Sequence, residues 1–352
     1  MKQNEKDCNI QREEFLFIYD IKNGNPNGDP DENRPRIDDV SNRCYVTDVR
    51  LKRFIRDYLI ATEGEDSILV TKLGTKTVNL TDRVKDRLES QNLKERLKQE
   101  NFMNILLDTF IDLRMFGSPL AFKDAPAEWK DKDIWKITGP IQINFGETLH
   151  QVEEITFHGT STFRSKGEEK GQKAGTFTTY YGIPYGLIAF HGVVNEHVAE
   201  DARLSEGDLQ VFKTALWKGV REASSANTRS KHNQQPHLLI NIVYKKEIDV
   251  EKDGKKVKVP TEYHIGRLSE KVSIVLNEGT KEETSIRSLK DYSLNFTQLI
   301  DALKLVADKI SKIEYCVSPE FQGRYADTII APLKKEFIKK VELVDLNIDR
   351  LG

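Results

Sequence analysis

The sequence predicts an α+β fold in which one sheet and its helices carry long polar insertions. Three observations support this fold class: short apolar strands alternate with helices, no internal repeat occurs, and no low-complexity linker divides the chain. With 352 residues, the chain is long enough to bury a substantial core. We therefore expect a single domain over residues 1–352.

The first elements are the clearest. Glu14–Ile21 is a short apolar run rich in aromatic residues, which predicts a buried strand. The Gly, Pro and Asn residues of Asn23–Arg36 predict an extended, exposed loop. A helix follows over Thr47–Ile60, because its apolar residues form one stripe and Thr47 and Asp48 suit a helix start.

The middle of the chain predicts two insertions. Residues 61 to about 114 are dense in charge and helical in pattern, which predicts helices there. Ile137–Phe145 and Val152–Phe157 then predict strands with partial alternation. The Gly-, Lys-, Ser- and Thr-rich segment 159–181 has flanks that favour strand and a middle that does not, so we expect a long β-hairpin.

The C-terminal half continues the alternation of strands and helices. Ser205 and Asp208 form a capping-box pattern that predicts the start of a helix. Another helix is expected over Thr297–Ile310, within a segment, 285–345, whose helices and strands should pack on the sheet. Three further strands are expected, at Ile183–Val194, His237–Lys245 and Val272–Leu276.

Composition restricts the class of protein. No apolar run approaches the roughly 20 residues of a membrane span, the N-terminus is too polar for a signal peptide, and we expect no membrane partner. The three cysteines form no CxxC pair, which favours a cytoplasmic location. The net charge of −2 excludes a globally basic nucleic-acid protein. Any nucleic-acid surface must therefore be a local patch.

The strongest local patch extends from Arg34 to Arg56. Lys52 and Arg56 are spaced i,i+4 on the predicted helix, so we expect them to project together away from the apolar stripe. Such a face can follow a phosphate backbone, and a solvated helix surface is the alternative. Seven basic residues face three acidic ones in this segment: Arg34, Arg36, Arg43, Arg50, Lys52, Arg53 and Arg56 against Asp38, Asp39 and Asp48.

Two other segments combine cations with groups suited to single-stranded nucleic acid. The predicted hairpin contains Arg164 and Lys166 near several aromatic residues, which can stack on bases. The loop that follows the Ser205 helix contains Arg229 and Lys231 among small polar residues and no acidic one. Ordinary surface loops are the alternative in both cases.

Motifs of catalysis are missing. The sequence contains no P-loop, HExxH, GxSxG or CxxC pattern, and we predict neither a cofactor nor a metal site. The carboxylates of the acidic loop could bind a divalent metal that activates water for RNA cleavage, although such loops are more often only solvated. These carboxylates are Asp29, Asp31, Asp38 and Asp39.

Several motifs resemble a known family. NPNGDPDENRPRID followed by VTDVRLKRFIRDYL resembles the backbone subunit of type I CRISPR Cascade complexes, in the type I-B and I-C lineage of the RAMP superfamily. DLRMFGSPLAF, ITGPIQINFG and TYYGIPYGLIAFHGVVNEHVA extend the resemblance from about Glu14 to Tyr244. The length of the helical insertion favours type I-B.

The resemblance implies an architecture and a site. Members of this family have a modified RRM-like, ferredoxin-type palm, which here implies a helical finger over 61–134 and a thumb hairpin over 159–181. The positions that hold guide phosphates in the family match Thr47, Lys52 and Arg56, and Arg34, Arg36 and Arg53 are adjacent candidates. A coat on a variable spacer must contact the RNA backbone rather than read one sequence.

The resemblance also implies a function and partners. The family coats a CRISPR guide RNA in repeated copies without catalysis and presents it for pairing with target DNA. The implied partners are further copies of the chain, the guide 5′-handle-binding subunit, the large and small subunits, and the repeat-processing endoribonuclease. The alternative is a metal-dependent endoribonuclease of the related type III backbone kind, which would use the acidic loop around Asp38.

Overall fold

The computed structural model describes nine stretches of the chain, and the structural statements below concern these residues. They are 10–72, 76–90, 102–122, 129, 136–160, 177–228, 230–252, 254–337 and 340–350. None of the helices in them is both long enough and apolar enough to span a membrane.

Fifteen strands occur in the described part of the chain. In the first half they are β1 (Glu13–Gly24), β2 (Tyr45–Val46), β3 (Gly117–Pro119), β4 (Lys136–Thr138), β5 (Ile141–Ile143), β6 (Gly146–Thr148), β7 (Ile155–Thr160) and β8 (Phe177–Val194). In the second half they are β9 (Gln234–Tyr244), β10 (Glu247–Lys252), β11 (Lys255–Pro260), β12 (Ser273–Leu276), β13 (Tyr292–Asn295), β14 (Ile310–Val317) and β15 (Glu342–Asp345).

The α-helices of the described residues lie between these strands. They are α1 (Asp48–Glu63), α2 (Leu80–Ser90), α3 (Phe102–Thr109), α4 (Ile111–Phe116), α5 (Glu196–Ala199), α6 (Glu206–Glu222), α7 (Thr297–Leu305), α8 (Pro319–Tyr325) and α9 (Ala331–Phe337). A π-helical turn over Ala326–Ile330 joins α8 to α9.

A nine-stranded sheet forms the centre of the fold. Its main path runs in the order β15-β14-β9-β1-β8-β6-β2, and β5 and β7 also pair with β8. Among the described strands of this sheet, only β14 and β15 pair in parallel. Because β8 and β9 are both antiparallel to β1, and α6 connects them, the three strands form a split β-α-β unit around β1.

Strand β1 is buried on both faces, which explains its continuous apolar sequence. Phe15, Phe17 and Tyr19 point to one face and pack with residues of α1 and α6, among them Phe54 and Trp217. The side chains between them point to the other face. There, Leu16 and Ile18 pack with Leu299, Phe321 and Leu333 of the C-terminal helices. The sheet is thus covered by helices on both sides.

The helices after α1 have a small core of their own. Val84 of α2 packs with apolar residues of α3 and with Phe110, Leu113 and Trp129. A buried ion pair connects this unit to α1, because Arg56 contacts Asp112 of α4. These elements lie within the predicted 61–134 insertion, of which several stretches fall outside the described residues.

Two predicted elements are confirmed with small changes at their ends. Helix α1 begins at Asp48, and the Thr47 side chain accepts a hydrogen bond from the Arg50 backbone N–H as its N-cap. The capping box at α6 is confirmed, because Ser205 and Asp208 each bond to the other's backbone N–H.

The predicted strand Ile137–Phe145 is wrong as one element. It is divided into β4 and β5, which belong to different sheets, at Gly139 and Pro140. A Cβ at Gly139 would lie 2.0 Å from the carbonyl carbon of Phe116, and Pro140 has no N–H to donate to a ladder. The close approach and the proline together end the strand.

Other predicted boundaries also shift. The helix predicted over Thr297–Ile310 ends at Leu305, and Ile310 is the first residue of β14. The strand predicted from Val152 begins only at Ile155. Strand β7 pairs antiparallel with the start of β8, from Ile155 opposite Gly182 to Thr160 opposite Phe177, and the rest of the predicted hairpin, residues 161–176, lies outside the described residues.

Candidate nucleic-acid interface

The first part of the site is the N-terminus of α1, which the preceding loop holds in place. The Asn27 side-chain oxygen accepts from both the backbone N–H and the hydroxyl of Thr47, at 2.9 Å each. Asn25 donates from its side chain to the Asn33 carbonyl and from its backbone to the Ser230 carbonyl. Both asparagines are buried, so the prediction of an exposed loop over Asn23–Arg36 is wrong at these positions.

The loop is buried from Gly24 to Asn27, whereas residues 30–34 are exposed. Asp29 accepts from the backbone N–H groups of residues 31 to 34, which lower the pKa of its carboxyl group. The same carboxylate is therefore occupied in forming the turn. The loop reaches α1 and the segment near Ser230, and so it brings two distant parts of the sequence together.

Lys52 and Arg53 lie on the first turns of α1, and each has an acidic partner on the same helix. The Lys52 ammonium is 2.9 Å from Asp48, and the Arg53 guanidinium is 2.8 Å from Asp57. The side chain of Arg53 is 42% exposed, compared with 13% for Lys52. Both cations can meet an anion at the surface only in competition with these carboxylates.

The prediction that Arg56 projects outward with Lys52 is wrong. Arg56 is buried, and its Nε donates to Asp112 at 2.8 Å. Asp112 also accepts from the backbone N–H groups of Leu69 and Val70, at 2.7 and 3.1 Å. Burial costs a charge its hydration, so this pair forms an internal connection between α1 and α4 rather than a surface contact.

Arg34 and Arg36 have partners near the loop. Arg34 lies 2.6 Å from Glu32 and 2.9 Å from Glu154, and its guanidinium covers the Tyr181 ring at 4.2 Å. The Arg36 Nε donates to the Gly28 carbonyl at 3.2 Å. Arg36 has no ion-pair partner among the described residues, whereas Arg34 is part of a surface ion-pair network.

Arg50 and Lys231 form a cationic pair at the junction of α1 and the loop that follows α6. Arg50 donates to the Ser225 carbonyl at 2.7 Å and lies over the Phe54 ring at 4.2 Å. Burial lowers the pKa of Lys231 to about 8, and the nearby Arg50 charge adds to the effect. Burial also lowers the pKa of Arg50 to about 10. Within the described residues, neither cation has an ion-pair partner.

Several residues that are bonded to Arg50, to Lys231 or to the adjacent Ser230 carry polar atoms without partners. Within the described chain, the Arg50 Nε and the Ser225 hydroxyl are buried without a hydrogen bond, as are the side-chain oxygens of Asn25 and Gln234. Buried polar groups are normally paired, and buried cations normally have a counter-charge. The place is therefore suited to an anion with several oxygen atoms, such as a phosphate group.

The acidic loop does not form a metal cluster in the described residues. Asp38 accepts from the backbone N–H groups of Val40 and Ser41, at 3.2 and 2.7 Å, and these donors lower the pKa of its carboxyl group. No group of three or more His, Cys, Asp or Glu side chains in the described ranges is arranged to hold a metal ion. The carboxylate of Asp38 instead stabilises a turn.

A sequence model of the family described as CRISPR-associated protein Cas7 matches residues 11–297. A Haloferax volcanii protein described as CRISPR-associated protein Cas7 is 31% identical over 314 residues, which cover 86% of each chain. The chain belongs to the CRISPR-associated Cas7 family.

Two solved structures resemble this Cas7-family chain over nearly its whole length. A chain of a "CRISPR RNA-guided surveillance complex, pre-nicking" has a TM-score of 0.49 and 10% identity, with 97% of this chain and 98% of that chain covered. A chain of a "CRISPR RNA-guided surveillance complex" has a TM-score of 0.44 and 14% identity, with 96% and 98% covered.

Three candidate residues of the Cas7-family chain fall outside the described residues. They are Arg164 and Lys166 of the predicted thumb and Arg229 of the loop after α6. Of the remaining candidates, the structure brings Thr47 and Lys52 together at the start of α1, with Lys231 beside the neighbouring Arg50.

Arg50 lies in the basic segment of the sequence but is not among the site residues that the sequence predicts. Its neighbour in space, Lys231, lies 181 positions later, so spacing along the chain could not indicate the pair. Asn25 and Asn27 were missed because turn-forming residues predict exposure. The one feature of the sequence that indicates this site is the loop 224–232, which contains cations and no acidic residue.

Proposed function

We propose that this Cas7-family chain is a non-catalytic backbone subunit that coats a CRISPR guide RNA in repeated copies. The observation that carries the proposal is the Arg50–Lys231 pair, two partly buried cations without an ion-pair partner in the described chain. A nucleic-acid phosphate would supply the missing charge and would accept from the Arg50 Nε and the Ser225 hydroxyl. Family membership supports the same function.

The proposed phosphate path follows the start of α1. Thr47, Lys52 and Arg53 lie on its first turns, and Arg36 approaches from the loop that is bonded to Thr47 through Asn27. A phosphate near Lys52 would compete with Asp48 for the ammonium group. Helix N-termini also favour anions, because their N–H groups carry partial positive charge.

The proposed binding of guide RNA would not depend on its base sequence. The cations of this path suit phosphate oxygens, and contacts of this type fix register without reading bases. A guide RNA with a variable spacer requires such a surface. The coated guide would then pair with target DNA.

The proposal includes a set of partners. They are other copies of the chain along the guide, the guide 5′-handle-binding subunit, the large and small subunits, and the repeat-processing endoribonuclease. The type I-B lineage and the thumb role of residues 159–181 are parts of the same proposal, and the motif resemblance supports both. The RRM-like, ferredoxin-type description of the palm is also part of this proposal.

The RNA complex of the full-length chain tests the proposal. We expect the purified chain to retain RNA, and Lys231→Gln to weaken RNA retention equally for several spacer sequences. Lys258→Gln is the matched control, because Lys258 lies on β11 and its side chain is 73% exposed. Equal retention by all three proteins would contradict the assignment of this site.

The same preparation tests the absence of catalysis. We expect no cleavage of complementary RNA with magnesium present, because the Asp38 carboxylate is engaged by backbone donors. Cleavage at regular intervals that Asp38→Ala or Asp39→Ala abolishes would instead establish a metal-dependent endoribonuclease.

A further inference from the structure

A cleft of about 500 Å³ lies on the face of the sheet opposite α1, where Leu149, Ala189 and Val272 line it. One wall is the loop between β5 and β6, and the other is the segment 267–274. Its charged and polar lining includes Arg43, Asn144, Glu147, Arg267 and Glu270. The phosphate site described above uses none of these residues.

An exposed aromatic ring lies in this cleft. Phe145 is 56% exposed, and its ring is parallel to that of Tyr45, with an interplanar angle of 3° and centroids 6.2 Å apart. Single exposed apolar residues are normal on a protein surface, but this ring lies in a cleft and beside a second ring. An exposed ring held parallel to a second ring is a stacking surface for a further planar group.

Both walls of the cleft are fixed by the core. On one side, Gly146 allows close approach to the sheet, because a Cβ there would lie 2.4 Å from the Phe190 ring. On the other side, the buried Glu14 carboxylate accepts from the backbone N–H groups of Ile265 and Gly266 at 2.7 Å each. Arg267 follows with a φ of 48°, an uncommon conformation for a residue other than glycine. The cleft is therefore formed before a ligand arrives.

The charges of the cleft favour a neutral ligand over a phosphate. Glu147, Glu270 and Glu283 contribute three carboxylates, against the two guanidinium groups of Arg43 and Arg267. Arg267 also lies 3.7 Å from Glu270, so its charge is partly neutralised. Carboxylates repel a phosphate, but they accept hydrogen bonds from the amino and imino groups of nucleobases.

The position of the cleft also suits a base. Tyr45 precedes Thr47 by two residues, which is roughly 7 Å of extended chain. Because β2 is the last strand in the sheet order, an RNA strand whose phosphate lies at the start of α1 would turn around this edge to bring a base to Phe145. Stacking on an aromatic ring tolerates every base, because every base has a π-face.

We propose that the cleft binds one nucleobase of single-stranded RNA, stacked on Phe145 with Tyr45 beneath it. This inference rests on the proposed function and adds to it a base contact that does not depend on sequence. The phosphate path sets the position of the strand, and the Phe145 platform holds one base per bound copy.

The test uses the full-length chain with single-stranded RNA oligonucleotides that carry 5-iodouridine at successive positions. After irradiation, we expect crosslinks to Phe145 and their loss in Phe145→Leu, which keeps an apolar side chain but removes the π-face. We expect Phe145→Leu to lower RNA affinity on the order of tenfold for every base composition. The dependence of affinity on salt should not change, because no phosphate contact is lost.

Val275→Ala is the control, since Val275 is also exposed, at 55%, and does not line the cleft. Wild-type affinity in Phe145→Leu, with crosslinks elsewhere, would overturn the inference and leave the proposed function intact. Loss of self-association in Phe145→Leu at unchanged RNA affinity would also overturn it, because the cleft would then bind protein. A wild-type chain that binds no RNA would refute the proposed function together with the inference.

Discussion

The side-chain oxygen of Asn27 accepts two hydrogen bonds from Thr47, one from its backbone N–H and one from its hydroxyl. The hydroxyl of Thr47 in turn accepts from the Arg50 backbone N–H as the N-cap of α1. One asparagine therefore connects the Pro- and Gly-rich loop to the helix that presents the proposed phosphate contacts. The loop positions the helix rather than covering an unrelated surface.

Asn27→Ala should lower the free energy of unfolding by about 1–3 kcal/mol, because it leaves the Thr47 donors without their partner. It should also weaken RNA binding, since the start of α1 loses its support. Denaturant titration and filter binding measure the two effects. Asn104→Ala, at an exposed position of α3, is the matched control. Unchanged stability in Asn27→Ala would contradict the positioning role of the loop.

Removal of the Arg56 side chain should lower the stability of the protein, whereas removal of the Lys52 side chain should weaken RNA binding. Arg56→Ala leaves the buried Asp112 carboxylate without its cation, and we expect a loss of about 3–5 kcal/mol in the free energy of unfolding. Lys52→Ala should leave stability nearly unchanged and weaken RNA retention. Thermal denaturation and RNA co-purification of the two single variants separate these outcomes. A stable Arg56→Ala protein that has lost RNA would restore Arg56 as a phosphate contact.

The sequence predicted the parts of the fold in which neighbours along the chain decide the structure. The start of α1 at Thr47 and the capping box at Ser205 depend on residues three positions apart, and both were predicted correctly. Burial of Asn25 and Asn27 depends on contacts with Asn33, Ser230 and Thr47, which turn propensity does not reveal.

The count of charges along the chain did not predict where positive charge remains in the fold, because it also ignores contacts between distant residues. The segment from Arg34 to Arg56 has seven basic and three acidic residues, but apart from Asp48, which pairs with Lys52, the paired carboxylates lie outside it. Arg53 pairs with Asp57, Arg56 with Asp112, and Arg34 with Glu154. Folding therefore neutralises much of the apparent patch. It leaves the charge of Arg50 and Lys231, a pair that only the fold brings together.

RNA affinity should fall as pH rises above about 8, because the lowered pKa of Lys231 makes its ammonium deprotonate there. Binding a phosphate would then require proton uptake, which costs up to about tenfold in affinity per pH unit. Affinity measured between pH 7 and 9 should show this slope in the wild type and lose it in Lys231→Gln. The same slope in both proteins would exclude Lys231 as its cause.

The free chain should show the opposite trend in stability. The unfolded chain binds more protons than the folded chain between pH 8 and the ordinary lysine value of 10.5, so the free energy of unfolding should rise with pH in that window. Denaturant titrations of the RNA-free wild type and Lys231→Gln measure the difference. A Lys231→Gln protein with the same rise would contradict burial of this ammonium group.

Asp48→Asn should strengthen RNA binding, because it removes the carboxylate that pairs with Lys52 and competes with a phosphate for it. The slope of log affinity against log salt concentration should become steeper by up to about one, which corresponds to one additional phosphate contact. Lys52→Gln should make the slope shallower by about one, and Lys258→Gln should leave it unchanged. Weaker RNA binding in Asp48→Asn at unchanged helix stability would contradict a phosphate at Lys52.

Nuclease footprinting of the RNA that co-purifies with the full-length chain tests the central claim most directly. A subunit that coats a guide RNA in repeated copies places the same contacts on the backbone at a fixed spacing. The account predicts a ladder of regularly spaced protections that does not depend on the spacer sequence. RNA that is digested uniformly, or protected only at one particular sequence, would contradict it.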